Sequence, residues 1–323
     1  MTLQEFISQW KDANDRLLVH TSGSTGAPKP MWVEKQRMLN SARVTCDFLG
    51  LAPGGKALLC LPLDYIAGKM MVVRSIERNM DLIQVEPSNH PLAGLTDTAL
   101  DFAAMVPSQL FCSLQEPNER EALRRIRHLI IGGGAISAEL QSAIDGLNSD
   151  GAIWSTYGMT ETLSHIALRR LNGPEASDWY KPFDGVSIAL DEDGCLTVDA
   201  PLVHDGKLVT NDLAEVKDGC FRILGRRDNV ICSGGIKMQI EQIESRLRPY
   251  LPSPFCITRR KDPKFGEVVV LLIAGSPLPK DILQEAFSQL EHYEQPKAVI
   301  HVGAIPMTET GKIARSEAEK LAR

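Results

Sequence analysis

For about the first 160 residues, short apolar runs of strand length alternate with runs of helical period, and that alternation leaves few folds open. RLLVH (16–20), KALLCLP (56–62), RHLIIGG (127–133) and GAIWSTYG (151–158) read as strands. AGKMMVVRSIERN (67–79) and SAELQSAIDGL (137–147) read as helices that follow two of them. Leu3, Phe6, Ile7 and Trp10 recur at helical spacing and predict an amphipathic helix at the start. Strands linked through helices pair in parallel and are covered on both faces, so the expected class is α/β with a mostly parallel sheet.

The pattern changes near residue 184. SIALDEDGCLTVDA (187–200) reads as two strands around Asp193-Gly194, and EVKDGCFRILG (215–225) repeats this around Asp218-Gly219. These runs predict a β-rich subdomain. A smaller α+β pattern follows: helix 240–250, strands 255–259 and 267–274, helix 280–292, strand 298–302 and helix 315–322. The boundary is expected in GRRDN (225–229), dividing the chain into domains 1–225 and 226–323; its 323 residues suffice for two cores.

Composition excludes several classes. A net charge of -6 opposes broad electrostatic binding to nucleic acid or anionic lipid. The 7 cysteines are scattered and form no CxxC pair, which suggests neither a disulfide framework nor a zinc site and favours a reducing, cytoplasmic setting. The first ten residues carry a Glu and no basic region, unlike a signal peptide. No apolar run approaches spanning length, so membrane insertion is not expected.

The chemistry-bearing runs come next. In Thr21-Ser22-Gly23-Ser24-Thr25-Gly26-Ala27-Pro28-Lys29, glycines allow a tight loop with exposed N–H groups, hydroxyls can donate to phosphate, and Lys29 adds a cation. Taken alone, such a run is as compatible with a polar turn. It is not a P-loop, because no Lys-Ser/Thr pair closes it. Gly132-Gly133-Gly134-Ala135 permits close approach of backbone to a flat ring, or is a strand-to-helix turn. In Tyr157-Gly158-Met159-Thr160-Glu161, a ring can stack on a base, a hydroxyl can hold phosphate and a carboxylate can bind Mg²⁺. Asp212 of Thr210-Asn211-Asp212 can accept from ribose hydroxyls, or is a surface-turn aspartate. Lys312, in Pro306-Met307-Thr308-Glu309-Thr310-Gly311-Lys312-Ile313-Ala314-Arg315, can neutralise charge developing on phosphate, or is a solvated helix end.

These runs, in this order, resemble the signatures of the acyl-CoA synthetase, adenylation-domain and luciferase superfamily of adenylate-forming enzymes, from residue 16 onward. The resemblance implies a carboxylate activated by ATP and Mg²⁺ as an acyl-AMP, then transferred to coenzyme A. It implies nucleotide binding by Thr21, Ser22, Gly23, Ser24, Thr25, Gly26, Lys29, Gly133, Gly134, Ala135, Tyr157, Gly158, Asp212 and Arg226. It implies Lys312, Thr160 and Glu161 as catalytic, with Glu161 also on the metal. Gly225-Arg226-Arg227-Asp228 resembles the hinge, with Asp228 as pivot of a mobile C-terminal domain, and Gly234, Gly235 and Lys237 would line the coenzyme A channel. Asn211 departs from the usual glycine; Asn tolerates left-handed backbone better than most residues. Relatives usually carry a long segment before the phosphate loop, so a shortened N-terminal domain is expected, with a homo-oligomer as one way to cover exposed surface.

LPLDYIAGKMMVVRSIER (61–78) and YGMTETLSHIALR (157–169) resemble the acyl-pocket segments of o-succinylbenzoate–CoA ligases within that superfamily. This implies a small carboxylic acid as substrate, contacted by Tyr65, Gly68, Lys69, Arg74 and Ser164. Arg74 follows Met70 and Met71 on one helical face and suits a second carboxylate; the alternative is a solvated arginine paired with Glu77. A stand-alone adenylation enzyme that loads a carrier protein shares the nucleotide motifs. A non-enzymatic binding protein would not need Lys312, Glu161 and Asp212 together.

Overall fold

The computed structural model describes residues 1–20, 30–308 and 313–322. Helix α1 (Leu3–Lys11) opens on a capping box: Thr2 Oγ1 accepts from Glu5 N at 3.2 Å and Glu5 accepts from Thr2 N at 2.7 Å. Strands β1 (Arg16–His20) and β2 (Pro30–Glu34) pair antiparallel from Arg16↔Glu34 to His20↔Pro30. Helix α2 (Lys35–Leu49) stops at Gly50, whose φ of 62° a glycine adopts without strain.

The large sheet follows from the alternation. Its elements in chain order are β3 (Lys56–Leu59), α3 (Ile66–Glu77), β4 (Asp81–Gln84), β5 (Leu100–Met105), α4 (Pro107–Gln115), α5 (Pro117–Arg124), β6 (Ile126–Ile131), α6 (Ala138–Asp145), β7 (Ala152–Gly158), β8 (His165–Arg170) and β9 (Lys181–Pro182). The order is β4-β3-β5-β6-β7-β8-β9; β4 to β7 are parallel, while β8 and β9 turn antiparallel. This is the expected mostly parallel α/β layer. Leu58, Met105, Leu129, Ile131 and Ile153 from its strands pack with Leu110, Leu140 and Ile144 from the covering helices.

Strand β3 ends at Leu59, short of the expected 62. Pro62 has no N–H for a ladder, and the Cys60 carbonyl accepts instead from Gln109 Nε2 at 3.1 Å. The segment that leaves the sheet packs against α3: a Cβ on Gly68 would lie 2.3 Å from the Pro62 carbonyl oxygen, so only glycine fits.

Strands β10 (Ser187–Leu190), β11 (Cys195–Asp199), β12 (Lys207–Lys217) and β13 (Cys220–Arg226) form a second sheet in sequential order. Asp218 and Gly219 both take positive φ, 50° and 75°, as a tight hairpin requires. The chain divides into two compact units. One comprises Met1–Ala189, Val198–Leu208 and Val216–Arg222; the other comprises Leu190–Thr197, Val209–Glu215 and Ile223–Arg323.

The second unit contains β14 (Val230–Ser233), β15 (Ile236–Gln239), α7 (Ile240–Leu247), β16 (Phe255–Asp262), β17 (Gly266–Ala274), α8 (Lys280–Phe287), β18 (Ala298–Val302) and α9 (Arg315–Leu321). β17 pairs with β14, β16 and β18. Its Val269, Leu271 and Ile273 join Ile243 and Leu247 of α7 and Ala286 of α8, whereas Val270 and Leu272 join Ala318 of α9 and Ala322. Both faces are covered, which is why GEVVVLLIA is apolar without alternation. Helix α8 ends at Phe287, short of the expected 292, because Gln295 Nε2 takes the Phe287 carbonyl at 3.1 Å. Among the described residues no helix is long and apolar enough to cross a membrane.

Candidate active site

In open α/β sheets, ligands collect at the carboxyl ends of the parallel strands. In the first unit, two candidate loops lie at that edge on neighbouring strands. Gly132 to Ala135 leave β6: Gly133 turns with φ of 81°, and a Cβ on Gly132 would stand 2.7 Å from Thr156 Oγ1. Ala135 borders an open hollow lined by Pro107, Phe111, Cys112 and Leu140.

Tyr157 and Gly158 end β7. The Tyr157 ring meets Phe221 edge-on at 4.9 Å, and Tyr180 stacks on Phe221 at 5.4 Å while its hydroxyl bonds Ser155 Oγ at 2.8 Å. These rings fix the tyrosine. The β7–β8 register shifts between Tyr157 and Gly158, and a Cβ on Gly158 would lie 2.3 Å from the Ser164 carbonyl oxygen. A single 3₁₀ turn, Thr160–Thr162, follows. Thr162 Oγ1 accepts from Met159 N at 3.0 Å and donates to the Ser164 carbonyl at 2.7 Å. Leu163 is buried with φ of 64°, a strained conformation for a branched side chain, held by these neighbours. The turn buries Thr160 and leaves Glu161 exposed. One exposed carboxylate beside a hydroxyl suits Mg²⁺, which takes few protein oxygens and fills its shell with phosphate and water. Among the described residues there is no cluster of three or more His, Cys, Asp or Glu arranged to hold a metal by themselves.

The acyl candidates lie on α3 and at the start of β8. Tyr65 is the exposed N-cap of α3, and Gly68 packs on Pro62. Lys69 is buried, with Nζ on the Leu63 carbonyl at 2.5 Å; burial lowers its pKa. Arg74 is 2% exposed. Its Nη2 donates to Ser164 Oγ at 2.5 Å, its Nε has no hydrogen-bond partner, and its Cζ lies 6.0 Å from the Phe102 ring centroid. No carboxylate pairs with it among the described residues. Glu77, the alternative partner, pairs instead with Arg43 of α2 at 2.9 Å. Burial pulls the Arg74 guanidinium down to about 10, which leaves it charged at neutral pH. His165, which none of the sequence motifs marks, bridges Ser164 and Thr45. Its adjacency to Ser164 in the chain was the one available signal; Thr45 gave none.

The second unit gathers another set. Arg226 Nη1 donates to Asp212 Oδ1 at 3.1 Å and its Nη2 to Asp228 Oδ2 at 3.3 Å. Asn211 donates to Asp228 Oδ2 at 3.2 Å and accepts from Arg227 Nη2 at 2.7 Å. The asparagine in place of the expected glycine thus ties β12 to the 3₁₀ turn Arg227–Asn229. Gly234 and Gly235, with φ of 57° and 84°, turn β14 into β15, where exposed Lys237 stands opposite Cys232. Thr21, Ser22, Gly23, Ser24, Thr25, Gly26, Lys29 and Lys312 lie outside the described residues.

A profile of the AMP-binding enzyme family matches residues 4–210. A 2-succinylbenzoate–CoA ligase of Salmonella typhimurium is 28% identical over 301 residues, covering 85% of this chain; the chain spans 62% of that ligase's length. An acyl-CoA synthetase (AMP-forming)/AMP-acid ligase II-like protein from Dyadobacter fermentans is 36% identical, with a TM-score of 0.67 over 98% of this chain and 93% of that one. An o-succinylbenzoate CoA synthetase from Bacillus subtilis, solved with the acyl-adenylate OSB-AMP, shares the fold: TM-score 0.78 at 23% identity, over 93% of this chain and 68% of that one. The profile match alone covers well over half of the sequence, and the chain therefore belongs to the AMP-binding enzyme family.

Proposed function

We propose that the chain is an AMP-forming acid–CoA ligase whose acid is o-succinylbenzoate. Attack of a carboxylate on the α-phosphorus of ATP gives acyl-AMP and pyrophosphate, and the coenzyme A thiol then displaces AMP. Tyr157 stacks on the base, Thr160 donates to phosphate, Asp212 and Arg226 serve the ribose and nucleotide, and Lys312 neutralises charge on the phosphorane. Glu161 would hold Mg²⁺, which would offset phosphate charge. Gly234, Gly235 and Lys237 serve coenzyme A, and Asp228 is the pivot between half-reactions.

The observation that carries the choice of acid is the buried Arg74, which has no carboxylate partner among the described residues. An unpaired buried cation is costly and is retained where a ligand supplies the anion. o-Succinylbenzoate bears two carboxylates: the succinyl one is activated, and the ring one pairs with Arg74 in a charge-assisted, bidentate geometry. The names of the curated relatives favour the same acid. The test is ATP–pyrophosphate exchange across a panel of aromatic and aliphatic acids, followed by product analysis with coenzyme A. Exchange should be fastest with o-succinylbenzoate, giving AMP, pyrophosphate and a thioester. ADP and phosphate as products would overturn the mechanism; a faster acid lacking a second carboxylate would overturn the substrate.

A further inference from the structure

Thr45 on α2, His165 at the start of β8, Ser164 beside it and Arg74 on α3 form one chain of hydrogen bonds. Thr45 Oγ1 lies 3.0 Å from the Ser41 carbonyl oxygen and 3.1 Å from His165 Nε2. His165 Nδ1 lies 3.2 Å from Ser164 Oγ, which lies 2.5 Å from Arg74 Nη2. Thr45, His165 and Arg74 are all at most 7% exposed.

Counting hydrogens fixes the direction of every link. The Ser41 carbonyl can only accept, so the one Thr45 hydroxyl hydrogen goes to it, as helical threonines commonly bond back one turn. Thr45 Oγ1 must then accept from His165 Nε2–H. Burial, reinforced by the Arg74 charge, holds His165 neutral, so its Nδ1 carries no hydrogen and accepts from the Ser164 hydroxyl. Ser164 thereby turns a lone pair toward Arg74. The reverse direction would leave the Thr45–Ser41 contact without a hydrogen.

We propose that His165, anchored by Thr45, is a positioning residue: it aims the Ser164 hydroxyl so that Ser164 Oγ holds the Arg74 guanidinium in place for a second carboxylate of the acyl substrate. This rests on the ligase reading above. Ser164 has spent its hydrogen on His165, so Arg74 alone donates to that carboxylate. The T-shaped packing of His165 on Phe183, at 5.5 Å, adds a second anchor for the ring.

The test separates the two ring nitrogens. A Gln side chain can place its amide nitrogen near Nε2 and keep the donor to Thr45, but it has no acceptor near Nδ1. An Asn side chain can place its oxygen near Nδ1 and keep the acceptor for Ser164. Thioester formation is measured with o-succinylbenzoate and with 3-benzoylpropionate, which lacks the ring carboxylate. His165→Gln should raise KM for o-succinylbenzoate roughly tenfold, the scale of one lost hydrogen bond within a charged network, and change 3-benzoylpropionate by less than about threefold. His165→Asn should restore the preference to within about threefold of the wild type. An unchanged preference in His165→Gln, or equal loss for both acids, overturns the proposal while leaving the ligase reading intact. A wild-type enzyme that does not distinguish the acids overturns both. Imidazole ¹⁵N NMR of the free enzyme should show a neutral Nε2–H tautomer, with Nδ1 shifted by Ser164→Ala; a protonated Nδ1 overturns the assigned direction.

Discussion

Arg315 grips Glu244 with both ends of its guanidinium, at 2.6 and 2.8 Å, joining the first turn of α9 to α7. Glu244 also accepts from Ile257 N at 2.8 Å, and Arg315 donates to the Ile257 carbonyl at 3.0 Å, so the buried carboxylate is fully partnered by a half-buried guanidinium. Arg315→Ala leaves a carboxylate that is 6% exposed without its cation, and should cost about 3–5 kcal/mol in urea unfolding of the second unit. The paired replacement Glu244→Leu with Arg315→Met should cost much less, because no charge is stranded.

Gly68→Ala places a methyl 2.3 Å from a backbone oxygen that cannot swing aside. Overpacking at a rigid contact costs about 1–3 kcal/mol and shifts the helix that causes it. Since that helix carries Arg74, the variant should lose acid discrimination as well as stability. A thermally destabilised variant with unchanged discrimination would show that α3 and its arginine are independent of this contact.

Arg74→Met keeps most of the side-chain volume and removes a buried charge that has no carboxylate partner among the described residues. Stability should rise by about 1–3 kcal/mol while the preference for o-succinylbenzoate over 3-benzoylpropionate collapses. Chemical denaturation and paired kcat/KM measurements read the two effects separately. A less stable variant would mean that the guanidinium contributes more through Ser164 and Phe102 than it costs by burial.

Lys312→Ala should suppress acyl-AMP formation by about 10²–10³ and spare conversion of supplied acyl-AMP and coenzyme A to thioester. Equal damage to both half-reactions would assign Lys312 a structural role.

Acid should destabilise the fold through two histidines. Burial, with Arg127 and Arg170 nearby, lowers His128 to about 4, and burial with Arg74 lowers His165 well below its ordinary value. Both folded pKa values lie below the unfolded value near 6.5. The unfolded chain therefore binds protons first, and the stability present above about pH 6.5 is lost as pH falls toward 4. His128→Gln and His165→Gln should each flatten that slope in unfolding free energy against pH.

Local features of this fold were legible in the chain. The parallel layer follows from alternation, and the hairpins from Asp193-Gly194 and Asp218-Gly219, because each needs only near neighbours. Element ends were set by side chains outside the runs themselves: Gln109 on the Cys60 carbonyl, 49 positions away, and Gln295 on the Phe287 carbonyl, 8 positions on. The same holds for the candidate site. Residues 157–161 stand out as a run, but the partner of Arg74 depends on Ser164, 90 positions away, and the anchor of His165 on Thr45, 120 positions away. Helical periodicity placed Arg74 beside methionines; it could not reveal that Arg43 would claim Glu77 and leave Arg74 buried without an acid among the described residues.

Strand β17 is shared by two separate cores, one on each face. Its amides should be the slowest to exchange with deuterium in the second unit, since no opening that keeps either core intact exposes them. Loosening α9 uncovers one face while α7 and α8 still hold the other. Undocking α9 and melting the remaining sheet should therefore appear as two steps in native-state exchange, with β17 released only in the last.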